Sequence, residues 1–545
     1  MDKNPPVTIV GAGPVGLTLA TECRRYGVSF RIIDKDAEHS VHSKALAIWS
    51  GTLEHLAAAG LADRFLETAR PIRKMRMLDM GHRVAEIHLS EGLESPYSTP
   101  IILPQSHTEE LLVENLRELG VEVERNLECI DVRLGTNHVE CDLKRSDGAV
   151  ETIQSEWLAA CDGARSIVRH RLPVEFGGIT EELGFILADA KTTDAPPDDT
   201  ILLSTGPRGA VMMFPIRPGI RRFFGLRTNL DDRSLPTLDE IQAHVDDAGL
   251  ANLRLSEPEW LSYFAVNERV ASRNRVGRIF LLGDASHIHS PAGGQGMNTG
   301  MQDAFNLGWK LKLLTSGRGD AESIAESYFE ERHPVAEMVV RQTSRLLHFG
   351  LMSQPAVRMA RKVILPIFSE LQPFQQTASF ALSGLGISYS TGPLIKKDSR
   401  TLGHHHHHAL VTGTLARDAE IRRSGSAGSL WRELLHPDHS LLLFSGDSPS
   451  ERVVELISAT ISDVGDAAVR TFVIWHGATE QPVSSALNQA TLLLDPEGVA
   501  HSRYGSREFG WYLIRPDQYI AARGVESELS LLREYLQTVF SAKVA

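Results

Sequence analysis

Three short stretches of this chain combine residue types at spacings that suit them to chemistry. The first is Gly11-Ala12-Gly13-Pro14-Val15-Gly16, with Asp34 lying 18 residues beyond Gly16. Glycine at 11 permits a tight turn, glycine at 13 lets a phosphate approach the backbone, and glycine at 16 allows a helix to pack closely on its strand. A helix starting there offers free N–H groups and a positive dipole end to a pyrophosphate. Asp34 is then an acceptor for an adenosine ribose. The chemistry is dinucleotide binding, and this motif alone does not choose between NAD and FAD. The second stretch is Cys161-Asp162-Gly163-Ala164-Arg165-Ser166, with Val168 and Arg169. The third is Gly283-Asp284-Ala285, running through Pro291 to Gly293-Gly294-Gln295-Gly296-Met297-Asn298. This last run exposes consecutive amides ahead of a helix whose apolar positions Met301, Ala304, Phe305 and Leu311 keep helical spacing. Such an arrangement stabilises a buried anion. The same glycines serve a tight loop that needs positive φ, and both roles can hold together.

Elements must hold these motifs in place. The β-branched run Val7–Val10 precedes the first motif, residues 17–26 keep helical spacing, Gly27 ends the helix, and 28–33 forms a second strand closing on Asp34. That is a βαβ unit. Further strands are expected at 121–124, 139–144 and 157–161, with a helix at 109–119. Between 176 and 271 the texture changes to alternating runs at 200–204, 210–215 and 221–226, divided by Pro and Gly turns, which predicts an inserted antiparallel sheet. A buried strand at 278–282 leads into the third motif, so the first domain is interrupted and then resumed. Residues 320–375 read as helical, punctuated by Pro366 and Pro373. Within them 356–368 mixes basic and apolar residues and is read as a packed linker helix rather than a membrane-surface one. The tract His404 to His408 lacks pre-organised geometry and is read as a solvated linker, not a metal site. From 409 onward, strands at 441–444, 469–474 and 490–494 alternate with helices and a closing helix at 526–540, which suggests a small α/β domain. The expected organisation is thus α/β throughout: a Rossmann-like domain over 1–175, a β-sheet substrate domain over 176–271, the first domain resumed with a helical linker over 272–400, and a last domain over 409–545.

Composition narrows the partners. A chain of 545 residues with net charge −13 and no long block of Lys or Arg is poorly suited to nucleic acid, so small molecules are expected. Four cysteines in no paired or zinc-like spacing are read as reduced. No apolar run approaches the roughly 20 residues needed to span a bilayer. With no signal-peptide pattern either, a cytoplasmic location and no membrane partner are expected.

The three motifs, in this order, resemble those of the class A flavoprotein aromatic hydroxylases, the family of para-hydroxybenzoate hydroxylase and phenol hydroxylase. The resemblance covers about the first 310 residues and implies FAD as the cofactor, with NADPH or NADH as a transient electron donor. It implies a glutathione-reductase-type FAD domain, Asp162, Gly163 and Arg165 serving FAD and NAD(P)H, Pro291 near the flavin C4a position, and Met297 and Asn298 under the pyrimidine ring. Gln105, in Leu103-Pro104-Gln105-Ser106, matches a family position that contacts the flavin chain, and Lys35 one placed against the adenine. Lys44 stands where the family commonly has Arg, and a lysine lacks the bidentate fork for pyrophosphate. A residue-level reading agrees: Asp284 follows a buried strand at the carboxyl edge where ligands gather, so its carboxylate suits ribityl hydroxyls. Residues 513–519 and 521–523 resemble the closing segment of the thioredoxin-like domain of phenol hydroxylase. No cysteine follows Cys161, which excludes thiol exchange and leaves a structural or homodimer-contact role.

The implied reaction uses NAD(P)H to reduce the flavin and dioxygen to form a C4a-hydroperoxide, which hydroxylates an electron-rich phenolic or polyketide-type aromatic ring. Water must be kept from that species, and residues of Met212-Met213-Phe214-Pro215 and Phe223-Phe224 are candidates for the pocket wall or for plain sheet core. His287 and His289 have the chemistry of a proton relay, but backbone hydrogen bonding is the preferred reading. The alternatives are a flavoprotein oxidase or dehydrogenase, or a flavoprotein that sequesters an aromatic antibiotic unchanged.

Overall fold

The computed structural model describes residues 4–39, 45–227, 232–291, 293–351, 365–397, 410–465, 469–477 and 489–541. Lys44, the tract His404 to His408 and most of 356–368 lie outside the described residues. The chain divides into two compact units: one comprises 1–21, 29–304 and 334–385, the other 22–28, 305–333 and 386–545.

In the first unit, the fully buried strand Val7–Val10 pairs in parallel with both Phe30–Ile33 and Trp157–Ala160. Ile279–Leu281 adds a fourth parallel strand, and Arg275–Val276 closes the sheet as a short antiparallel edge. Central parallel strands are covered on both faces, which is why these segments read as continuous apolar runs. One cover is the three-stranded sheet of Leu127–Leu134, Val139–Arg145 and Val150–Ser155, whose Cys141 and Leu143 share a core with Leu158 and Ile279. The strand expected at 121–124 does not form: Glu124 makes one isolated bridge to Ile33, and its carboxylate instead clamps Arg31 through two bonds of 2.7 Å.

The second sheet has eight strands, in the order His287–Ile288, Leu255–Ala271, Phe176–Thr192, Ile220–Arg227, Gly209–Arg217, Thr200–Gly206, Lys74–Asp79 and His82–His88. It is antiparallel except where Thr200–Gly206 runs beside Lys74–Asp79. It therefore draws on residues from both sides of 176–271. Side chains alternate between its faces. One face carries Met213 and Phe223 and is closed by the helix Leu238–Asp247 through Ile241 and Val245. The other carries Met212, Phe214 and Phe224.

The second unit contains a seven-stranded sheet in the order Ser426–Ser429, Glu420–Arg423, Thr491–Asp495, Val469–His476, His439–Phe444, Gly510–Ile514 and Ile520–Gly524. Its three central strands are parallel and the two at the Ile520–Gly524 side antiparallel. Among the described residues no helix is long and apolar enough to cross a membrane.

Candidate functional site

The glycine loop joins Val7–Val10 to the helix Pro14–Arg25, with a proline at the first helical position, where a missing N–H costs nothing. Gly11 has φ of +100°, and a Cβ there would lie 2.4 Å from the Cys161 carbonyl oxygen. At Gly16 a Cβ would lie 1.9 Å from the carbonyl oxygen of Gly11. Both positions are closed to any side chain. Gly13 is different, because a Cβ there would meet nothing within 4 Å. The space over Gly13, beside a helix amino terminus, fits a pyrophosphate. Asp34 stands at the end of Phe30–Ile33, where its Oδ2 accepts from the Ala12 amide at 2.6 Å and its Oδ1 from the Asp36 amide at 2.8 Å. Its carboxylate is thus oriented beside the loop. Lys35 is exposed next to it.

The second and third motifs are brought to the same loop. Gly283 has φ of +54°, and a Cβ there would lie 2.8 Å from Val15 Cγ2, while one at Gly300 would lie 2.7 Å from the same methyl. Val15 therefore seats the first motif on the third, and Cys161 seats it on the second. Asp162 Oδ2 accepts from the Val168 amide at 3.3 Å, and burial raises its carboxyl. Gly163 has φ of +76° with open space beyond it, and Arg165 is exposed. Arg169, which a sequence reader would leave on the surface, is buried. It donates to Ala164 O at 2.8 Å and to Ala285 O at 2.9 Å, and its guanidinium lies 3.8 Å from the Phe176 ring centre. It fastens the Asp162 loop to the turn carrying Asp284, whose side chain is exposed just past Ile279–Leu281. Asp284→Ala is expected to weaken FAD binding about tenfold or more, as loss of a charged acceptor does. Fluorescence titration of the apoprotein reads this directly, and unchanged affinity would remove Asp284 from the site.

The loop after Pro291 is braced from the other side. Asn298 Oδ1 accepts from the Trp49 amide at 2.9 Å, and its Nδ2 donates to Ala47 O at 2.8 Å and Gly294 O at 2.9 Å. Trp49 Nε1 donates to Gly293 O at 3.0 Å and Gly294 O at 3.2 Å. Gly293 and Gly294 both have positive φ, and the Gly294 amide donates to Pro291 O at 3.0 Å. Gly296 opens the helix Gly296–Ser316, and Met297 beneath it is buried. The donor groups of Asn298 are engaged within the protein, so it works by holding the loop. Gln105 starts the helix Gln105–Glu118, its amide bonded to Ala45 O at 3.1 Å and its Nε2 to Glu109 at 2.8 Å. Of the six candidate pocket-wall residues, Met212, Phe214 and Phe224 share the face that continues to Trp49 through Phe214, while Met213 and Phe223 lie under Leu238–Asp247 as core. Trp49 and Asp303 lie outside the three motifs, and Val15 is a motif position given no role by its type; all three hold the motif loops together. Their roles exist only through contacts between distant segments.

The two histidines resolve differently. His287 Nε2 meets Asp303 Oδ2 at 2.8 Å, and the same oxygen accepts from the Gly283 amide at 3.0 Å, so this pair ties the third motif to its helix. His289 Nδ1 lies 2.9 Å from Ser290 O, which places its proton on Nδ1. Burial pushes His289 down to about 4, from 6.5. The unfolded chain then takes up this proton first, so stability present above pH 6.5 is lost as pH falls toward 4. The thermal midpoint is expected to fall between pH 7 and 5, and His289→Phe to remove up to about 2 kcal/mol of that pH-dependent loss. An identical pH profile in the variant would contradict this.

Comparison with known proteins places this geometry. The family described as FAD binding domain matches residues 4–343. The chain is 32% identical over 542 residues to 6-methylpretetramide 4-monooxygenase of Streptomyces rimosus, covering 98% of this chain and 93% of that protein. It is 27% identical to pentachlorophenol 4-monooxygenase of Sphingobium chlorophenolicum, covering 95% and 93%. Among solved structures, an anhydrotetracycline hydroxylase from Streptomyces rimosus superposes with a TM-score of 0.74 at 26% identity, covering 98% of this chain and 99% of that one.

Proposed function

This chain belongs to the FAD binding domain family, and from that premise we infer its reaction: FAD-dependent, NAD(P)H-consuming monooxygenation of a phenolic or polyketide-type aromatic ring. The observation that carries the reading is the convergence of three motifs on one cradle. Gly13 is open, Gly11 and Gly16 are closed by backbone contacts, and Asp34, Asp162 and Asp284 stand around them. When bound, FAD supplies hydride acceptance and the activation of dioxygen.

The chain's own residues then have distinct tasks. The loop from Gly11 through Pro14 to Gly16 and the helix behind it receive the pyrophosphate, Asp34 the adenosine ribose, and Asp284 with Gln105 the ribityl chain. Lys35 supplies positive charge on the adenine side, and Asp162, Gly163 and Arg165 serve both FAD and NAD(P)H. The loop through Pro291, Gly294 and Gly296 to Met297, at the amino end of the helix Gly296–Ser316, would hold the pyrimidine edge of the flavin and favour negative charge there. Pro291 presents a rigid wall to the reacting ring, and Met212, Phe214 and Phe224 exclude water from it. The sheet with a parallel centre and antiparallel flank in 409–545 supports reading that stretch as a thioredoxin-like domain, without a cysteine of its own, acting as a structural element or homodimer contact.

Purified protein loaded with FAD is to be screened with phenolic and polyketide aromatics for stimulated NAD(P)H oxidation, with labelled dioxygen and mass spectrometry of the product. One labelled oxygen in the product supports the assignment. Steady NAD(P)H oxidation with no oxygenated product selects an oxidase or dehydrogenase, and bound aromatic recovered unchanged selects a sequestering flavoprotein.

A further inference from the structure

The first unit holds a cavity of about 530 Å³ at one end of the eight-stranded sheet. Its apolar wall includes Ile102, Pro104, Ile216, Ile220 and Trp260. A cavity of about 150 Å³ suffices to hold one benzene ring, so this one has room for about three. It opens on the sheet face that carries Phe214 and Phe224, since Asp189 is paired with both Arg222 and Trp260, and Arg222 with Phe214. It is also continuous in packing with the candidate site. Ile216 and Phe214 belong to the same apolar cluster as Ala47 and Trp49, and those two residues brace Asn298 and the glycines of its loop.

The charges of the lining are decisive. Three guanidinium groups reach the cavity: Arg70, Arg217 and Arg222. Each has a carboxylate partner. Arg222, 3% exposed, is clamped by Asp189 through bonds of 2.7 and 2.6 Å and lies 5.0 Å from the Trp260 ring centre. Arg217 pairs with Glu259, while Arg70, at 3.2 Å, shares Asp198 with Arg221. The remaining ionisable groups, Glu67 and His107, are exposed. At the buried Arg222 a carboxylate meets a compensated cation and the Asp189 charge, and pays desolvation without gaining a partner.

We infer that this cavity holds the part of the substrate remote from the reacting ring, and that it selects an uncharged aromatic of several fused rings over single-ring phenols and aromatic carboxylates. The inference rests on the monooxygenase reading for the identity of the reacting ring. Asp189 and Arg222 act as positioning residues: their closed pair fixes the wall and cancels its charge. Trp260 supplies a flat apolar surface, on which fused rings gain more contact than one ring does.

Equilibrium dialysis of the FAD-loaded protein separates size from charge with three probes: 1-hydroxypyrene, pyrene-1-carboxylate and phenol. Hydroxypyrene is expected to bind at least about tenfold more tightly than either of the others. Ile220→Trp, which fills the cavity, is expected to weaken hydroxypyrene about tenfold and to leave phenol nearly unchanged. Asp189→Asn, which leaves the Arg222 charge uncancelled, is expected to shift selectivity toward pyrene-1-carboxylate. Should that variant not fold, Glu259→Gln tests the same cancellation at the Arg217 pair. Equal binding of the two pyrenes, or an Ile220→Trp variant that binds hydroxypyrene as well as the parent does, overturns the inference. If the probes sort as expected while no aromatic yields an oxygenated product, the cavity assignment stands and the monooxygenase reading fails.

Discussion

Arg515→Met is expected to destabilise the second unit by about 3–5 kcal/mol, the cost of breaking a buried ion pair by removing one partner. Arg515 donates to both oxygens of Glu331, at 2.7 and 2.9 Å, and to both oxygens of Asp517, at 2.9 and 2.5 Å. Lys310 reaches Glu331 at 2.9 Å and Trp309 reaches Asp517 at 3.1 Å, so the variant leaves two carboxylates with one buried ammonium between them. All four ionisable side chains are within 1% of full burial in the ion-pair geometry. Burial by itself would raise Glu331, but Arg515 and Lys310 overrule it and hold the carboxyl at about 2. Burial likewise draws Lys310 down to about 8, against the pull of Glu331. Urea unfolding of parent, Arg515→Met, Glu331→Gln and the double variant forms the appropriate cycle. The double variant is expected to recover part of the loss, because it no longer strands the Glu331 charge. A single-variant loss below about 1 kcal/mol would show the network to be solvated in solution.

Asn298→Leu is expected to cost the first unit about 3 kcal/mol or more and to abolish tight FAD retention. The substitution keeps the branching of the side chain and removes its polar atoms: the Trp49 amide and the Ala47 carbonyl lose the Asn298 partner, and the Gly294 carbonyl keeps only Trp49 Nε1. Each buried group left unsatisfied costs about 1–3 kcal/mol. Gly294 is held at a φ of +62° by this network, and its release lets the loop move away from the position proposed for the flavin. Thermal unfolding of the apoprotein reads the first effect and FAD titration the second. A variant that unfolds like the parent and keeps its yellow colour through gel filtration would show that the loop is held by Trp49 Nε1 alone. Asn298→Asp offers a graded control, since Oδ1 can still accept from Trp49 while the two donated bonds are lost.

The structure divides what was legible from what was not. Gly11, Gly13 and Gly16 were readable because each role follows from the absence of a side chain, and the contacts a Cβ would make reproduce the three roles. Strands such as Val7–Val10 and Trp157–Ala160 were readable because burial on both faces leaves an unbroken apolar run. Residues 121–124, expected as a strand, form only the isolated bridge of Glu124 to Ile33, because the segment uses Glu124 to hold Arg31. Arg169 resisted reading because a buried arginine has the same letter as a surface one, and only its bonds to Ala164 and Ala285 reveal its task. The alternation of Met212 with Met213 and of Phe223 with Phe224 was visible, but which face meets Leu238–Asp247 was not.

From its letters alone the chain declared a glycine-loop βαβ unit, alternating strands within 176–271 and three motifs in family order, because turn geometry, alternation and backbone access are local properties that a few consecutive residues dictate. Tertiary structure decided the rest: that Val15 and Cys161 gather the motifs together, that Trp49 and Asn298 lock a loop 249 positions away in sequence, that Arg515 sits at the centre of a buried charge network, and that the Arg222 guanidinium in the cavity wall is closed by Asp189. These depend on which distant segments meet, and pairing between remote residues is set by the packing of whole sheets and helices against one another, a quantity no short run of sequence contains.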